Sequence, residues 1–149
     1  MSKWTERLKA VLPVNCTGLR PIVCDGLPCQ SEAILIGKNP ATKLHANWWD
    51  FWDEVRGFKH GEFATQYKVL RPRISQMRRN FDRFRKLNGI LCVETNVYCN
   101  ESEKEHEEEG VPNHRVIEVL LDNMPKLRAV IIFGAEAREA ISETPEIRD

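Results

Sequence analysis

The sequence has no net charge and no long apolar run, and these two absences narrow the class of protein. Its 22 Lys and Arg residues balance 22 Asp and Glu residues, so binding to nucleic acid or to a membrane would need a local patch rather than an overall field. No apolar run approaches the roughly 18 residues of a membrane-spanning helix, and no basic-then-apolar export signal opens the chain. We therefore expect a cytoplasmic protein without membrane contact.

The sequence also lacks the Cys-x-x-Cys pairs that metal ribbons use. Its five cysteines, an odd number, are Cys16, Cys24, Cys29, Cys92 and Cys99. Reduced and mostly buried thiols are the expectation, with no metal and no cofactor. A metal or iron–sulfur site built on the first three cysteines is the alternative.

Internal repeats and low-complexity linkers are absent too, which indicates one domain over residues 1–149. With 42% hydrophobic and 30% charged residues, the chain has enough apolar material for a core, and we expect a monomer. The charge is uneven, because residues 56–86 are rich in Arg and Lys whereas residues 101–109 are strongly acidic. The basic segment could contact phosphate groups, although the solvated face of a helix is the simpler explanation.

Hydrophobic periodicity predicts strands that alternate with helices. Apolar runs predict strands at residues 22–24, 33–36, 90–93 and 129–133, and helical spacing is found at residues 2–12, 74–87, 113–123 and 135–141. Ser2 and Pro13 bound the first helix, and Asn88-Gly89 ends the second. Such alternation predicts βαβ units and a short, mostly parallel sheet covered by helices on both faces.

Two of the predicted strands run into asparagines. Asn39 follows the second predicted strand, in Gly37-Lys38-Asn39-Pro40, and Asn96 follows the third. Gly37 permits a sharp turn and close approach, and Pro40 keeps Asn39 out of helical geometry. Because ligands of open α/β folds lie at the carboxyl ends of strands, the two amides could read the edge of a nucleobase. Alternatively, each Asn caps a helix or tightens a turn.

These residues resemble the uracil-DNA glycosylase superfamily, especially its mismatch-specific branch and the single-strand-selective relatives of that branch. Gly37-Lys38-Asn39-Pro40 is similar to the Gly-x-Asn-Pro motif of the family. Four further segments resemble the family in order and spacing, namely residues 20–26, 47–52, 94–98 and 129–134. The resemblance covers most of the chain, residues 20–141, and implies a three-layer α/β/α sandwich.

The resemblance implies hydrolysis of the N-glycosidic bond of uracil, or of a related damaged or mismatched base, in DNA. By resemblance Asn39 is the catalytic residue, which positions the water that attacks C1′ of the sugar, and the target base must first leave the duplex stack. The residues implied to bind the substrate are Gly37, Pro40, Trp48, Trp49, Phe51 and Asn96. In this set Asn96 reads the base edge and one aromatic ring stacks on the base, although the rings could instead fill the core.

The expected partner is damaged or single-stranded DNA. Arg and Lys contacts to phosphate give affinity that depends on salt but not on sequence. The residues expected to hold the DNA backbone are Arg71, Arg73, Arg78 and Arg79.

The sequence departs from the family at two places. Lys38 stands where the motif usually has an apolar or amide residue, and nothing after Gly134 matches the family's fourth strand and His-Pro-Ser-type loop. We therefore expect a domain that is C-terminally truncated relative to the family, with weak or absent glycosylase activity. A non-catalytic nucleic-acid-binding module and a truncated remnant of the fold are the alternatives.

Overall fold

The computed structural model describes residues 1–73, 75–102 and 110–143. Over these ranges the chain forms five α-helices and two β-sheets. The helices are α1 (Lys3–Val11), α2 (His60–Leu70), α3 (Gln76–Asn88), α4 (His114–Asn123) and α5 (Ala135–Ser142). The strands are β1 (Ile22–Val23), β2 (Ala33–Gly37), β3 (Trp52–Asp53), β4 (Gly57–Phe58), β5 (Cys92–Asn96) and β6 (Ala129–Ile132). Ile74, which begins the second predicted helix, and most of the acidic stretch lie outside the described residues.

The main sheet has four strands in the order β1-β5-β2-β6. Strands β5, β2 and β6 are parallel to one another, and β1 runs antiparallel to β5. The prediction of a mixed α/β fold with a mostly parallel sheet is confirmed. Gly37 lies opposite Asn96 in the register, so the carboxyl ends of β2 and β5 are level. Among the described residues no strand pairs with the outer edge of β6.

The two faces of this sheet are covered unequally. Successive side chains of a strand point to opposite faces, and one face carries Ile34, Ile36 and Val93 in the large core cluster. Helices α1 and α4 contribute buried side chains to that cluster, among them Trp4, Leu8, Ile117 and Leu120. The other face, which we call the α3 face, carries a smaller cluster of buried residues, Ala33, Leu35 and Cys92, under half-buried residues that include Phe81 and Phe84 of α3. No residue of α3 itself is fully buried.

Local sequence signals explain where several helices begin and end. The Ser2 hydroxyl caps α1 by accepting a hydrogen bond from the Thr5 N–H at 3.2 Å. Gly89 ends α3 in the left-handed conformation, with φ 60°. The predicted boundaries of both helices agree with the structure to within two residues.

Two elements were not predicted from hydrophobic periodicity. Helix α2 buries only Phe63 and leaves Val69 and Leu70 exposed, so its sequence has no clear apolar stripe. The short hairpin of β3 and β4 begins at the last residue of the aromatic segment 47–52 and shows no strand alternation in its sequence. Strand β5 is also displaced from the predicted residues 90–93, because residues 92–96 are those that pair with β2.

None of the described helices has both the length and the apolar character needed to cross a membrane.

Candidate functional site

A cavity of about 560 Å³ lies at the carboxyl ends of β2 and β5, on the α3 face. We call it the strand-end cavity. Asn39, Pro40 and Asn96 line it, and helices α2 and α3 supply most of its remaining wall. Its volume falls within the roughly 300–1,000 Å³ of small-molecule sites. The structure therefore brings the two predicted asparagines to one concave surface.

Gly37 lets the side chains of Phe133 and Asn96 lie close to the end of β2. A Cβ atom at Gly37 would lie 2.7 Å from Cε2 of Phe133 and 2.8 Å from Oδ1 of Asn96. Carbon and oxygen atoms do not approach so closely without displacement, so only glycine leaves room for both side chains. The loops that follow β2 and β5 then run together, since Val97 N–H donates to Gly37 O at 2.9 Å.

The asparagine side chains make few bonds within the protein. The only one seen among the described residues is from Asn39 Nδ2 to the Pro40 carbonyl, and it is long at 3.5 Å. Behind Asn96, buried Asn113 donates from Nδ2 to the Asn96 carbonyl at 3.0 Å, so the backbone of Asn96 is fixed. Lys38, where the sequence departs from the motif, instead forms an ion pair with Glu136 of α5 at 2.5 Å. Because the side chains of Asn39 and Asn96 make so few bonds within the described part of the protein, their amides have donor and acceptor atoms available for a ligand.

The structure does not bring the aromatic candidates Trp48, Trp49 and Phe51 to the strand-end cavity. Trp48 and Phe51 are only 2% and 3% exposed and belong to the large core cluster. Trp49 lines a separate depression that includes Leu12 and Pro13. Large rings in a core contribute much of its apolar burial, so these three act as core packing.

The indole N–H groups of this aromatic segment are all satisfied within the protein. Trp48 donates to the Ile22 carbonyl at 2.8 Å and Trp49 to the Pro13 carbonyl at 2.8 Å. Trp52 donates to the Thr5 hydroxyl at 2.9 Å. Buried tryptophans normally find such partners, and here the bonds fix the segment against α1 and β1.

Four other rings line the strand-end cavity, namely Phe63, Tyr67, Phe81 and Phe133. They form two pairs: Phe63 and Tyr67 lie 5.8 Å apart on α2, and Phe81 of α3 lies 4.7 Å from Phe133, centroid to centroid. All but Phe63 are half-buried. Phe133 ends the predicted strand 129–133. The expectation that ligands lie at the carboxyl ends of strands, which pointed to the asparagines, therefore applies to Phe133 as well. No sequence signal marked the other three.

Basic side chains form much of the outer wall of this cavity. Of the four predicted DNA-binding residues, Arg71, Arg73 and Arg78 line it and Arg79 does not. Lys68 and Arg85 line it as well. Among the described residues neither of these two, nor Arg73, forms an ion pair, whereas Arg71 donates to Thr42 Oγ1 at 3.3 Å. The cavity therefore has an excess of positive charge.

Arg78 differs from its neighbours because its guanidinium is already paired. It makes two parallel hydrogen bonds to the Glu94 carboxylate, from Nη1 to Oε1 and from Nη2 to Oε2, the second at 2.8 Å. This bond raises the pKa of Arg78. Such a forked pair is strong and directional, and it joins α3 to β5. Arg78 thus holds the helix on the sheet rather than offering an unpaired charge.

We predict that Arg78→Lys loosens α3 without unfolding the domain. Lysine keeps the charge but cannot make both bonds, and α3 has no fully buried residue to hold it otherwise. Limited trypsin digestion should cut within α3 about tenfold faster than in the wild type, as expected when a local opening costs less. Arg83→Lys, an exposed change on the same helix, is the control. Equal cutting of both variants would contradict the role of the pair.

The cavity also contains groups with perturbed titration. Burial, together with the positive charge of Arg85, lowers the pKa of His60, which favours the neutral imidazole at pH 7. The carboxylates that line the cavity are Glu94, paired with Arg78, and the exposed Asp82. No unpaired buried carboxylate lines the described part of the cavity as a general base.

The cysteines lie away from this chemistry. All five are free, and all but Cys29 are buried. Burial raises the pKa of Cys16 to about 11 and that of Cys99 to about 11, which keeps these thiols protonated and unreactive. No group of three or more His, Cys, Asp or Glu side chains in the described ranges is arranged to hold a metal ion.

Comparison of the chain with models of protein families, with curated proteins and with solved structures finds no match. What the protein does must therefore be inferred from the geometry and charge of the strand-end cavity.

Proposed function

We propose that the protein is a DNA glycosylase of the uracil-DNA glycosylase type, with a three-layer α/β/α sandwich, that hydrolyses the N-glycosidic bond of uracil or a related damaged base. The observation that carries the proposal is the meeting of Asn39 and Asn96 in one cavity. Asn39 lies in the loop after β2, and Asn96 ends β5, 57 positions further along the sequence. A shared role in one local turn therefore does not account for their meeting. Aromatic rings and unpaired cations in the same cavity fit a nucleotide better than a purely apolar ligand.

Asn96 and Phe133 form the base site in this proposal. The Oδ1 atom of Asn96 and the ring edge of Phe133 approach the same point beside Gly37. A planar base stacked on Phe133 would present its edge to the Asn96 amide, which offers one donor group and one acceptor. Phe133, supported by Phe81 at 4.7 Å, therefore takes the stacking role that the sequence suggested for Trp48, Trp49 or Phe51.

Asn39 orients the attacking water. An amide cannot remove a proton as a carboxylate does, so it acts by positioning the nucleophile. The water oxygen bonds to C1′ while the bond between C1′ and the base nitrogen breaks, and the base departs with that electron pair as an anion. The proton that the water loses passes to the departed base or to solvent, and the surrounding positive charges stabilise the anion. Glu94 is paired with Arg78 and Asp82 is exposed, so neither carboxylate is placed to act as a general base on the water. We therefore expect slow catalysis.

The cations Lys68, Arg73 and Arg85, which form no ion pair within the described part of the chain, bind the phosphates on either side of the target nucleotide. Such contacts position the strand without reading its sequence. They fit single-stranded or locally unpaired DNA, in which the base is already out of the stack and the cost of flipping is smallest.

The proposal is tested with an end-labelled single-stranded oligonucleotide that contains one uracil, followed by alkali to break abasic sites. We expect a cleaved product with uracil and none with the matched thymine oligonucleotide. A mismatched duplex should react faster than a fully paired one, because unstacking costs less. Absence of product from every uracil substrate would overturn the proposed activity.

A second candidate function is binding without catalysis. It is favoured by the excess of cations over carboxylates in the cavity and by the pairing of Glu94 with Arg78. In that case the oligonucleotide would bind with an affinity that falls steeply with salt, and no abasic product would form.

A further inference from the structure

Arg20 lies beneath the loop that carries Asn39 and is 7% exposed. Its Nη1 atom donates to the Ala41 carbonyl at 2.9 Å, and its Nη2 atom donates to the Thr42 carbonyl at 2.8 Å. The same Nη2 atom also contacts Oε2 of Glu101, which is 4% exposed. One guanidinium therefore holds two consecutive carbonyls directly after the Asn39-Pro40 step.

Glu101 closes the same loop from the other side. Its Oε2 atom accepts a hydrogen bond from Leu44 N–H at 3.3 Å, and the neighbouring Ser102 N–H donates to the Pro40 carbonyl at 3.0 Å. The loop between these bonds is unusual, because Thr42 has a φ of 70°. A threonine in the left-handed region is strained unless its surroundings hold it there. The buried ion pair provides that constraint.

Arg20 also forms part of the wall of the strand-end cavity, beside Phe63 and Tyr67. Its guanidinium carbon lies 5.3 Å from the centroid of Phe63 and 5.5 Å from that of Tyr67, within the range of cation–π contact. The Nη atoms are committed to the loop and to Glu101, and Nε is buried without a hydrogen-bond partner among the described residues. The guanidinium of Arg20 therefore contacts both the Asn39 loop and α2.

We propose that Arg20, fixed by Glu101, is the positioning residue that holds the Asn39 loop in its working conformation. The inference rests on the proposed function, in which the Asn39 amide orients water. Two buried charges are costly to desolvate, and a role in packing alone would be met as well by apolar side chains. The fork of Arg20 can hold two adjacent carbonyls at once, which the single point charge of a lysine cannot do.

The decisive measurement is a double-mutant cycle on uracil release. Arg20→Lys should lower kcat by about tenfold to a hundredfold and leave KM within about twofold, since a displacement near 1 Å costs roughly that much in rate. In an Asn39→Ala background, Arg20→Lys should have less than about a twofold further effect, because the two residues act as one unit. If kcat of the double variant instead falls by the product of the two single effects, the proposal is overturned.

A second measurement does not depend on catalysis. Amide hydrogen exchange at Leu44 and Ser102 should be at least about tenfold faster in Arg20→Lys, while exchange at Leu120 in α4 should not change. Arg128→Lys is the matched control, since Arg128 forms an exposed pair with Glu32 at the opposite end of the sheet. Unchanged exchange at Leu44 would overturn the positioning role.

Glu101→Gln keeps an acceptor for Leu44 N–H and serves if Arg20→Lys does not fold. It should show the same changes with smaller amplitude, and wild-type exchange at Leu44 in this variant would overturn the proposal. If the wild type releases no uracil but loop exchange responds as described, the glycosylase function fails and the positioning of the Asn39 loop stands.

Discussion

Replacing Asn39 with alanine is expected to lower the rate of uracil release by about 10²–10³-fold, as loss of one oriented polar group in an active site commonly does. The amide makes a single long hydrogen bond of 3.5 Å among the described residues, so its removal costs little in the folded protein. We expect the stability to fall by no more than about 1 kcal/mol. Single-turnover kinetics with excess protein measures the chemical step apart from binding.

The control for this variant is Asn123→Ala. Asn123 ends α4, where its Nδ2 atom donates to the Val119 carbonyl at 2.8 Å, and it lies outside the strand-end cavity. It should keep the wild-type rate. If Asn39→Ala and the wild type release uracil equally fast, Asn39 has no part in the mechanism. If Asn39→Ala instead lowers the free energy of unfolding by several kcal/mol, this residue mainly stabilises the turn.

Substituting alanine for Gly37 is expected to damage the site more than the fold. The added methyl group would collide with the ring of Phe133 and with Oδ1 of Asn96, at 2.7 and 2.8 Å. Both are the ends of side chains and can rotate away, so the cost in stability should be about 1–3 kcal/mol, as for other overpacked positions. The movement displaces the two groups that form the proposed base site. We therefore expect uracil release to fall by about 100-fold.

Gly61→Ala is the matched control, because nothing lies within 4 Å of a Cβ atom at Gly61 in α2. It should retain activity and gain up to about 1 kcal/mol of stability from higher helix propensity. Chemical denaturation and the oligonucleotide assay measure the two effects separately. Normal activity in Gly37→Ala would show that Phe133 and Asn96 need not lie close together for function.

The elements that sequence reasoning predicted well are those with strong local signals. Strand β2 is a continuous apolar run, and all five of its residues are buried. Ser2 and Gly89 mark helix termini by their own backbone and side-chain chemistry. Helix α2 escaped prediction because only Phe63 is buried, so no apolar stripe exists to detect. Its position depends instead on contacts with residues far away in the chain.

The site shows the same division. The two asparagines that follow apolar strands were expected at the carboxyl-end edge of the sheet, and the structure places both of them at one cavity. The aromatic segment left two interpretations open, because a run of large rings is equally suited to stacking on a base and to core packing. In the structure Trp48 and Phe51 are buried in the large core cluster and do not line the strand-end cavity. The pairing of Arg78 with Glu94 was likewise hidden, since it joins residues of different elements.

Three features can be read from the order of residues alone, namely the alternation of strands and helices, the turn at Gly37-Lys38-Asn39-Pro40 and the uneven distribution of charge. These features follow from periodicity and from the local preferences of glycine, proline and asparagine. Three others are seen only in the folded chain, namely the strand order, the rings that surround the cavity and the burial of Arg20 with Glu101. Each of these depends on which distant residues become neighbours, and that is set by the packing of the whole chain rather than by any local pattern.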